Sequence, residues 1–290
     1  MTRVIDGRKI ADQIGLSTKE RLGEIVSRTG ASPKLVSIMA GRNKEAEIYL
    51  KMQEKMAGKI GIEFEARELD EGVSREKIIK TIEELNADKS ATAVILQRPL
   101  PEGIDYDSML ARLLPEKDAE GLHPFNLGKI LRREADIVPC TPGAVMKILR
   151  VEGVDLYGKE VVIIGHSAIV GKPLSLMMLN ETATTTVCHI GTAEKGDIVS
   201  HSRRADVLVV AVGNPEMVKG DWIKKGAVVV DVGINNVDGR IVGDVNFGEV
   251  KKNAAVITPV PGGVGPVTVA ILMRNVLRAF KKQNESTGKA

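Results

Sequence analysis

A glycine-containing turn in the segment KEVVIIGHSAIVGKPLSLMML has the residue types that suit a phosphate-bearing ligand. Gly165 ends an apolar run that predicts a strand, and Gly171 lies near the start of a predicted helix. Glycine lets the backbone approach a pyrophosphate, and the free amides and dipole of a helix start favour negative charge. The spacing differs from the general GxGxxG fingerprint, so this segment alone fits a ligand-free turn equally well.

Two later strand ends support a nucleotide site. The runs DVLVVAVGNP and AVVVDVGIN both finish in glycine-containing turns, which carry Gly213 and Ile234. In a parallel sheet these turns share one carboxyl edge with Gly165, and ligands of open α/β sheets bind along that edge. We therefore include Gly213 and Ile234 among the predicted cofactor-binding residues.

The elements that must position these turns follow an α/β pattern. Runs such as VVII, VLVV and VVV are typical of strands buried on both faces of a parallel sheet, and helical patterns alternate with them. We predict two α/β domains around a cleft, the second a Rossmann-like doubly wound parallel sheet. The predicted strands are Leu35–Met39, Ile62–Leu69, Ala93–Leu96, Val161–Ile164, Thr185–Cys188, Val207–Val210 and Val228–Val232.

Proline punctuation in VPCTPGAV predicts a domain boundary, because Thr141 followed by Pro142 is a favourable helix start. The first domain is predicted at 1–140 and the second at 141–266. A final helix at about 267–282 follows a glycine- and proline-rich loop and is expected to return to the first domain. The tail after Lys281 is expected to be disordered.

Composition narrows the class of protein. With 290 residues, 43% apolar and 27% charged, the chain suits a globular protein. Its 41 basic and 38 acidic residues give a net charge of +3, so we predict no nucleic-acid or membrane partner. The sequence has no apolar leader or membrane-length segment, and Cys140 and Cys188 suit a reducing compartment, so a cytoplasmic location is predicted. Because His123, His189 and His201 lack metal-ligand spacing, we predict no metal.

Ordered motifs along nearly the whole chain resemble the bifunctional methylenetetrahydrofolate dehydrogenase/cyclohydrolase family. They follow Tyr49 on an early helix, and a chance ordering of so many motifs is implausible. The motifs are LQRPLP at Leu96 to Pro101, PEKDAEGLHPFNLG at Pro115 to Gly128, VPCTP at Val138 to Pro142, GHSAIVGKP at Gly165 to Pro173, DVGIN at Asp231 to Asn235 and PGGVGPVT at Pro261 to Thr268.

The resemblance implies a homodimer with a folate-binding first domain and a second domain that holds NADP or NAD. The implied reaction oxidises 5,10-methylenetetrahydrofolate to 5,10-methenyltetrahydrofolate by hydride transfer, which needs alignment more than proton transfer. A second implied reaction hydrates the product to 10-formyltetrahydrofolate. That step needs an acid/base group.

The resemblance assigns Tyr49 to the folate site, near the catalytic group. Four residues later, where the family usually has its catalytic lysine, this sequence has Gln53. Lys51 points to another face of the helix, and Lys55 corresponds to a different family lysine, so neither replaces it. The cyclohydrolase activity is therefore in doubt, whereas the dehydrogenase activity is not affected.

The remaining predicted catalytic and folate-binding residues come from three other motifs. Gln97 matches the glutamine that hydrogen-bonds the lysine, and Glu120 replaces the family's pterin-binding aspartate, with Asp118 as the fallback acceptor. A rigid loop whose backbone approaches a planar ligand is implied by PGGVGPVT. We expect it to face the Tyr49 helix across the cleft. The further predicted folate-binding residues are Leu96, Arg98, Pro261, Gly262, Gly263, Val264 and Gly265.

Cofactor choice is left open. Family members that use NADP commonly carry arginine and serine where this sequence has His166 and Ile190, which bind a 2′-phosphate less well. No acidic residue takes their place to hold a ribose hydroxyl, and nearby lysines and arginines offer charge. The predicted cofactor-binding residues are Gly165, His166, Ser167, Ile190, Gly213 and Ile234.

Two other interpretations stay open. The departures at Gln53 and Glu120 also fit a non-catalytic dinucleotide-binding partner subunit. The general Rossmann features alone fit a two-domain dehydrogenase for another small substrate.

Overall fold

The computed structural model describes residues 1–41 and 43–287. No helix within these ranges is long and apolar enough to cross a membrane. The strands are β1 (Arg3–Val4), β2 (Lys34–Ala40), β3 (Glu63–Leu69), β4 (Ala93–Leu96), β5 (Glu160–Ile164), β6 (Thr184–Cys188), β7 (Val207–Val210), β8 (Val228–Asp231), β9 (Asn235–Val237), β10 (Arg240–Val242) and β11 (Val256–Ile257). The α-helices are α1 (Gly7–Thr29), α2 (Lys44–Ile60), α3 (Arg75–Ala87), α4 (Tyr106–Leu110), α5 (Pro124–Leu131), α6 (Cys140–Val151), α7 (Gly171–Asn180), α8 (Ile190–Glu194), α9 (Ile198–Arg204), α10 (Phe247–Val250) and α11 (Val264–Thr287).

The chain divides into two compact units. Unit 1 comprises Met1–Ala11 and Pro139–Thr268, and unit 2 comprises Asp12–Val138 and Val269–Ala290. The first eleven residues, which were expected in the folate-binding domain at 1–140, belong to unit 1. The reason is that β1 pairs in parallel with β11, which adds the N-terminal segment to the edge of the unit 1 sheet.

Unit 1 contains a six-stranded sheet in the order β1-β11-β8-β7-β5-β6, in which every pairing is parallel. From β5 the chain continues to β6 on one side and then to β7 on the other, so the topological switch point lies between β5 and β7. The apolar residues of the central strands β5 and β7 are fully buried, as the continuous apolar runs predicted. The α/β class and the doubly wound, Rossmann-like sheet are confirmed.

Unit 2 contains a three-stranded parallel sheet in the order β3-β2-β4. One face of β2 and β4 packs on α3 through a cluster that includes Val36, Ile38, Ile78, Ile82 and Val94. The carboxyl ends of β2 and β4 lie side by side because Ile38 is in register with Leu96. The residues that follow β2 and β4 are therefore neighbours.

Helix α11 is longer than predicted, and the expectation of disorder after Lys281 is wrong as far as Thr287. Gln283 Nε2 donates to the carbonyls of Thr92, at 2.9 Å, and Glu116, at 3.2 Å. Lys281 and Glu285 form an i,i+4 ion pair at 3.6 Å, which also favours helix. A polar sequence is thus ordered by tertiary contacts. Residues 288–290 lie outside the described ranges.

Candidate functional site

Helix α2 presents Tyr49 and Gln53 on one face, four residues apart. The helix starts where Asn43 caps it, its side chain accepting from the amide of Ala46 at 2.9 Å. Gln53 is completely buried and Tyr49 is half-buried, whereas Lys51 and Lys55 are exposed. Neither lysine therefore replaces Gln53 in the buried site.

Gln97 follows β4 and joins α2 to the sheet. Its Nε2 donates to Ser37 Oγ at 2.8 Å and to Gln53 Oε1 at 3.2 Å, and all three side chains are buried. Gln53 Nε2 has no hydrogen-bond partner among the described residues. Exchanging the N and O assignments of both amides leaves an unmatched acceptor instead of an unmatched donor. Either way, one polar atom of Gln53 needs a partner such as water or a ligand.

Glu120 lies in a second polar cluster of unit 2. Tyr106 donates its hydroxyl to Glu120 Oε2 at 3.4 Å, and Arg98 Cζ lies 3.5 Å from the centroid of the Tyr106 ring. Burial raises the pKa of Glu120 to about 7, with a further increase from the Asp118 charge, while Arg98 and Tyr106 oppose the shift. Glu120 is therefore a carboxyl group that titrates near neutrality.

Asp118, the alternative acceptor for the pterin ring, already accepts hydrogen bonds from nearby residues of its own segment. Its oxygens accept from the amides of Gly121 at 3.0 Å and His123 at 2.8 Å, and from Asn126 Nδ2 at 2.9 Å. Three hydrogen bonds fix the backbone around Glu120. Asp118 thus shapes the site rather than offering a free acceptor.

The residues on either side of Gln97 have different environments. Leu96 is buried and belongs to the apolar cluster between α3 and the sheet, so it supports the site from the core. Arg98 is exposed and reaches the Tyr106 ring. Sequence reasoning missed Tyr106, although a scarce tyrosine just after the LQRPLP motif was an available signal.

In unit 1, the predicted phosphate turn is built from closely packed backbone. Gly165 has φ +119°, and a Cβ there would lie 2.2 Å from the Ala211 carbonyl oxygen. A Cβ on Gly171 would lie 1.9 Å from the Gly165 oxygen, so neither position accepts a side chain. Beyond the turn, His166 and Ser167 are exposed, and Ser167 Oγ accepts from the amide of Val170 at 3.1 Å. The turn therefore leads from the switch point into the ten-residue helix α7.

Exposed side chains lie along the same carboxyl edge. The rings of His166 and His189 lie 5.2 Å apart, which brings the ends of β5 and β6 together. Ile190 is 70% exposed and Ile234 is 67% exposed, and Gly213 is exposed as well. Apolar side chains beside a glycine turn suit a ligand that has flat rings and phosphates. This edge is therefore a candidate site for such a ligand.

Two buried carboxylates hold the loops of this edge, and sequence reasoning missed both. Asp244 Oδ2 accepts from the amides of Val212 at 2.7 Å and Gly213 at 3.0 Å, and Oδ1 accepts from Asn235 Nδ2 at 2.9 Å. Asp231 accepts from three backbone amides, including that of Asp244 at 3.0 Å. Burial raises the pKa of Asp231 to about 7, the Asp244 charge adds to the shift, and the amides oppose it.

The loop that begins at Pro261 is braced within unit 1. Gly262 has φ +104°, and its carbonyl accepts from the amide of Gly7 at 3.0 Å. A Cβ on Gly7 would lie 1.8 Å from the Gly263 oxygen. Val264 is buried and starts α11, so Val264 and Gly265 form the first helical turn rather than a loop. Pro261 is the exposed member of the set.

These observations define the class of the protein: a two-domain α/β protein with a Rossmann-like nucleotide-binding unit. Within the described ranges, no group of three or more His, Cys, Asp or Glu residues could hold a metal ion.

Comparison with known sequences narrows this class to one family. The catalytic domain of tetrahydrofolate dehydrogenase/cyclohydrolase matches residues 5–120, and the NAD(P)-binding domain of the same family matches residues 139–284. The chain is 43% identical over 282 residues to Bifunctional protein FolD 2 of Geobacter sulfurreducens, covering 97% of this chain and 98% of that protein. The chain belongs to the tetrahydrofolate dehydrogenase/cyclohydrolase family, which confirms the resemblance.

Solved structures agree with this assignment. The FolD methylenetetrahydrofolate dehydrogenase/cyclohydrolase of Campylobacter jejuni superposes with a TM-score of 0.94 at 38% identity, covering 98% of this chain and 100% of that one. The Trypanosoma brucei enzyme, solved with NADP and an inhibitor, gives a TM-score of 0.93 at 41% identity, covering 98% of each chain.

Proposed function

We propose that this protein oxidises 5,10-methylenetetrahydrofolate to 5,10-methenyltetrahydrofolate with NADP or NAD. The observation that carries the proposal is the buried contact between Gln53 and Gln97 beside Tyr49, in the unit that matches the family's catalytic domain. The dinucleotide accepts the hydride when bound. No side chain has to transfer a proton in that step, so a glutamine at position 53 is compatible with it.

Within unit 2, the residues orient the folate. Gln53 has a polar atom to offer a ligand, and Gln97 holds its carboxamide in place. Glu120 accepts hydrogen bonds from the N–H groups of the pterin ring, and Tyr49 packs beside the substrate. Orientation of this kind contributes through proximity, which is the main requirement of hydride transfer.

Within unit 1, Gly165, His166, Ser167, Ile190, Gly213 and Ile234 bind the dinucleotide. The glycine turn and α7 take the pyrophosphate, and the exposed Ile190 and Ile234 contact its rings. The involvement of Pro261, Gly262, Gly263, Val264 and Gly265 in folate binding stays a prediction from the family resemblance. The NADP-bound structure of the Trypanosoma brucei relative supports NADP, while His166 and Ile190 favour NAD.

We infer a weak cyclohydrolase activity. An amide does not exchange protons near neutral pH, and both lysines near Gln53 on α2 are exposed. We further propose that the protein is a cytoplasmic homodimer. The two buried free cysteines support the cytoplasmic location. The family resemblance supports the homodimer.

One assay tests the dehydrogenase proposal. Purified protein is mixed with methylenetetrahydrofolate and either NAD or NADP, and the absorbance of the reduced cofactor is followed. We expect folate-dependent reduction of at least one cofactor. Cofactor binding without reduction would support the interpretation as a non-catalytic dinucleotide-binding partner subunit. Cofactor reduction with a different small substrate would support the interpretation as a two-domain dehydrogenase for that substrate.

A further inference from the structure

The roles proposed above assign Glu120 to the pterin ring but do not explain Tyr106 and Arg98, which cluster with it in unit 2. Arg98 follows β4, Tyr106 begins α4, and Glu120 follows the point where Asp118 forms a parallel bridge with Val94. Three separate segments thus converge on one carboxyl group.

We propose that Tyr106, held by Arg98, is a positioning residue that orients the Glu120 carboxyl group for the pterin ring and favours its ionised form. The inference rests on the proposed function only in taking a tetrahydrofolate as the ligand.

The Tyr106 hydroxyl is placed to donate a hydrogen bond to Glu120. The hydroxyl lies 3.4 Å from Glu120 Oε2, and burial, followed by the Glu120 charge, raises the pKa of Tyr106 well above its usual range. The hydroxyl therefore keeps its proton and donates. Arg98 covers the ring with Cζ 3.5 Å from its centroid, and Arg98 Nη2 lies 4.0 Å from Asp107 Oδ1. A stacked arginine limits rotation of the ring.

Opposing charges meet at Glu120. Burial and Asp118 favour the protonated carboxyl, whereas Arg98 and the Tyr106 hydroxyl favour the carboxylate. His123 acts one step further away, since its charge and amide stabilise Asp118. The balance leaves the pKa of Glu120 at about 7. Both forms are therefore populated at neutral pH.

The two forms bind a pterin differently. A carboxylate accepts from two adjacent N–H groups, whereas a protonated carboxyl turns one acceptor into a donor and loses a hydrogen bond. The KM for folate should therefore fall as pH rises through about 7, because the ionised fraction grows. Hydride transfer moves no proton, so kcat should change much less.

Tyr106→Phe should shift this dependence in a defined direction. Removing the Tyr106 hydroxyl removes a hydrogen bond that favours the Glu120 carboxylate, so the midpoint of the KM profile should move to higher pH. Arg98→Met removes a positive charge and should move the midpoint the same way. For Tyr106→Phe we expect the folate KM at pH 7 to rise about threefold to tenfold, the range of a modest hydrogen bond to a charged group. The KM for the cofactor should stay unchanged.

The experiment measures kcat and both KM values between about pH 6 and 8.5 for the parent, Tyr106→Phe, Arg98→Met and Glu120→Gln. Each variant is read against the parent at the same pH, because the substrate itself is pH-sensitive. Tyr157→Phe, at an exposed tyrosine of unit 1, is the matched control and should follow the parent. Glu120→Gln should flatten the profile.

Calorimetric titration with 5-formyltetrahydrofolate over the same pH range separates the two proposals. If the parent binds this folate with the expected pH dependence but reduces no cofactor, the dehydrogenase proposal fails and the inference stands. An unshifted midpoint in both Tyr106→Phe and Arg98→Met would overturn the inference. So would an equal rise in the cofactor KM, because that result indicates a general structural defect.

Discussion

The two candidate binding regions are built from different parts of the chain. In unit 2 the site consists of side chains, with the carboxamides of Gln53 and Gln97 and the carboxyl of Glu120. In unit 1 the corresponding edge consists mainly of backbone, held by Asp231 and Asp244. A side-chain site changes its chemistry with one substitution, whereas a backbone site is sensitive mainly at its glycines.

The polar groups of the two regions are also satisfied to different degrees. Both carboxylate oxygens of Asp244 accept hydrogen bonds from groups of unit 1, so the chain itself holds these loops. Gln53 keeps one polar atom without a partner among the described residues, which is costly in a buried place. This difference indicates that the chain itself holds the unit 1 edge, whereas the buried amide of Gln53 keeps a polar group for water or a ligand.

The largest effect is expected at position 53. General acid/base catalysis typically contributes about 10²- to 10⁴-fold, and the parent should lack that contribution in methenyltetrahydrofolate hydrolysis. Gln53→Lys should raise the hydrolysis rate at least about tenfold. Recovery should be partial, because Gln97 now donates toward position 53 and must turn its oxygen to an ammonium group. The measurement is the decay of methenyltetrahydrofolate absorbance without nicotinamide.

Gln53→Met is the matched control, since it keeps the length of the side chain without a titratable group. It should leave hydrolysis at the level of the parent. If the parent already hydrolyses at a rate comparable to its dehydrogenase turnover, position 53 does not carry the proton chemistry. A water held by Tyr49, or Lys55 after a rearrangement, would then be the candidate.

In the backbone-built turn of unit 1, the most disruptive substitution is expected at Gly171. A Cβ placed 1.9 Å from the Gly165 oxygen cannot be accommodated without moving the turn. We expect Gly171→Ala to lower the free energy of unfolding by at least about 2 kcal/mol and to weaken dinucleotide binding. Urea unfolding and a fluorescence titration with NADPH measure the two effects.

Gly248→Ala in α10 of the same unit is the control, because its Cβ would meet only Asn246 Oδ1, at an ordinary 3.8 Å. It should be nearly neutral in both measurements. Equal behaviour of the two variants would show that the close packing at Gly171 is not what shapes the turn.

The smallest effect is expected for cofactor choice. His166→Arg combined with Ile190→Ser adds a permanent charge and a hydroxyl where the 2′-phosphate is expected. The ratio of kcat/KM for NADP over NAD should rise about tenfold, which corresponds to about 1.4 kcal/mol. An unchanged ratio in a folded variant would locate the phosphate-binding group elsewhere along this edge.

Sequence reasoning identified the long, regular elements. The seven predicted strands are present with shifts of one residue at their ends, because buried parallel strands have continuous apolar runs. The two-residue strands β1 and β11 and the hairpin of β9 and β10 were missed. Segments that short have no periodicity to detect, and the partners β1 and β11 lie at opposite ends of the chain.

The sequence by itself determined the family and the residue types that matter, including glutamine in place of lysine at position 53 and glutamate at position 120. Only the tertiary structure decided their environments. Gln53 and Gln97 form a hydrogen bond although they are 44 residues apart, and Asp244 and Gly213 do so at a separation of 31 residues. The contact between Tyr106 and Glu120 likewise depends on the fold. A hydrogen-bond partner, an unmatched amide atom or a raised pKa depends on burial and on which strand ends are neighbours. These are properties of the packed sheet and have no counterpart in local sequence.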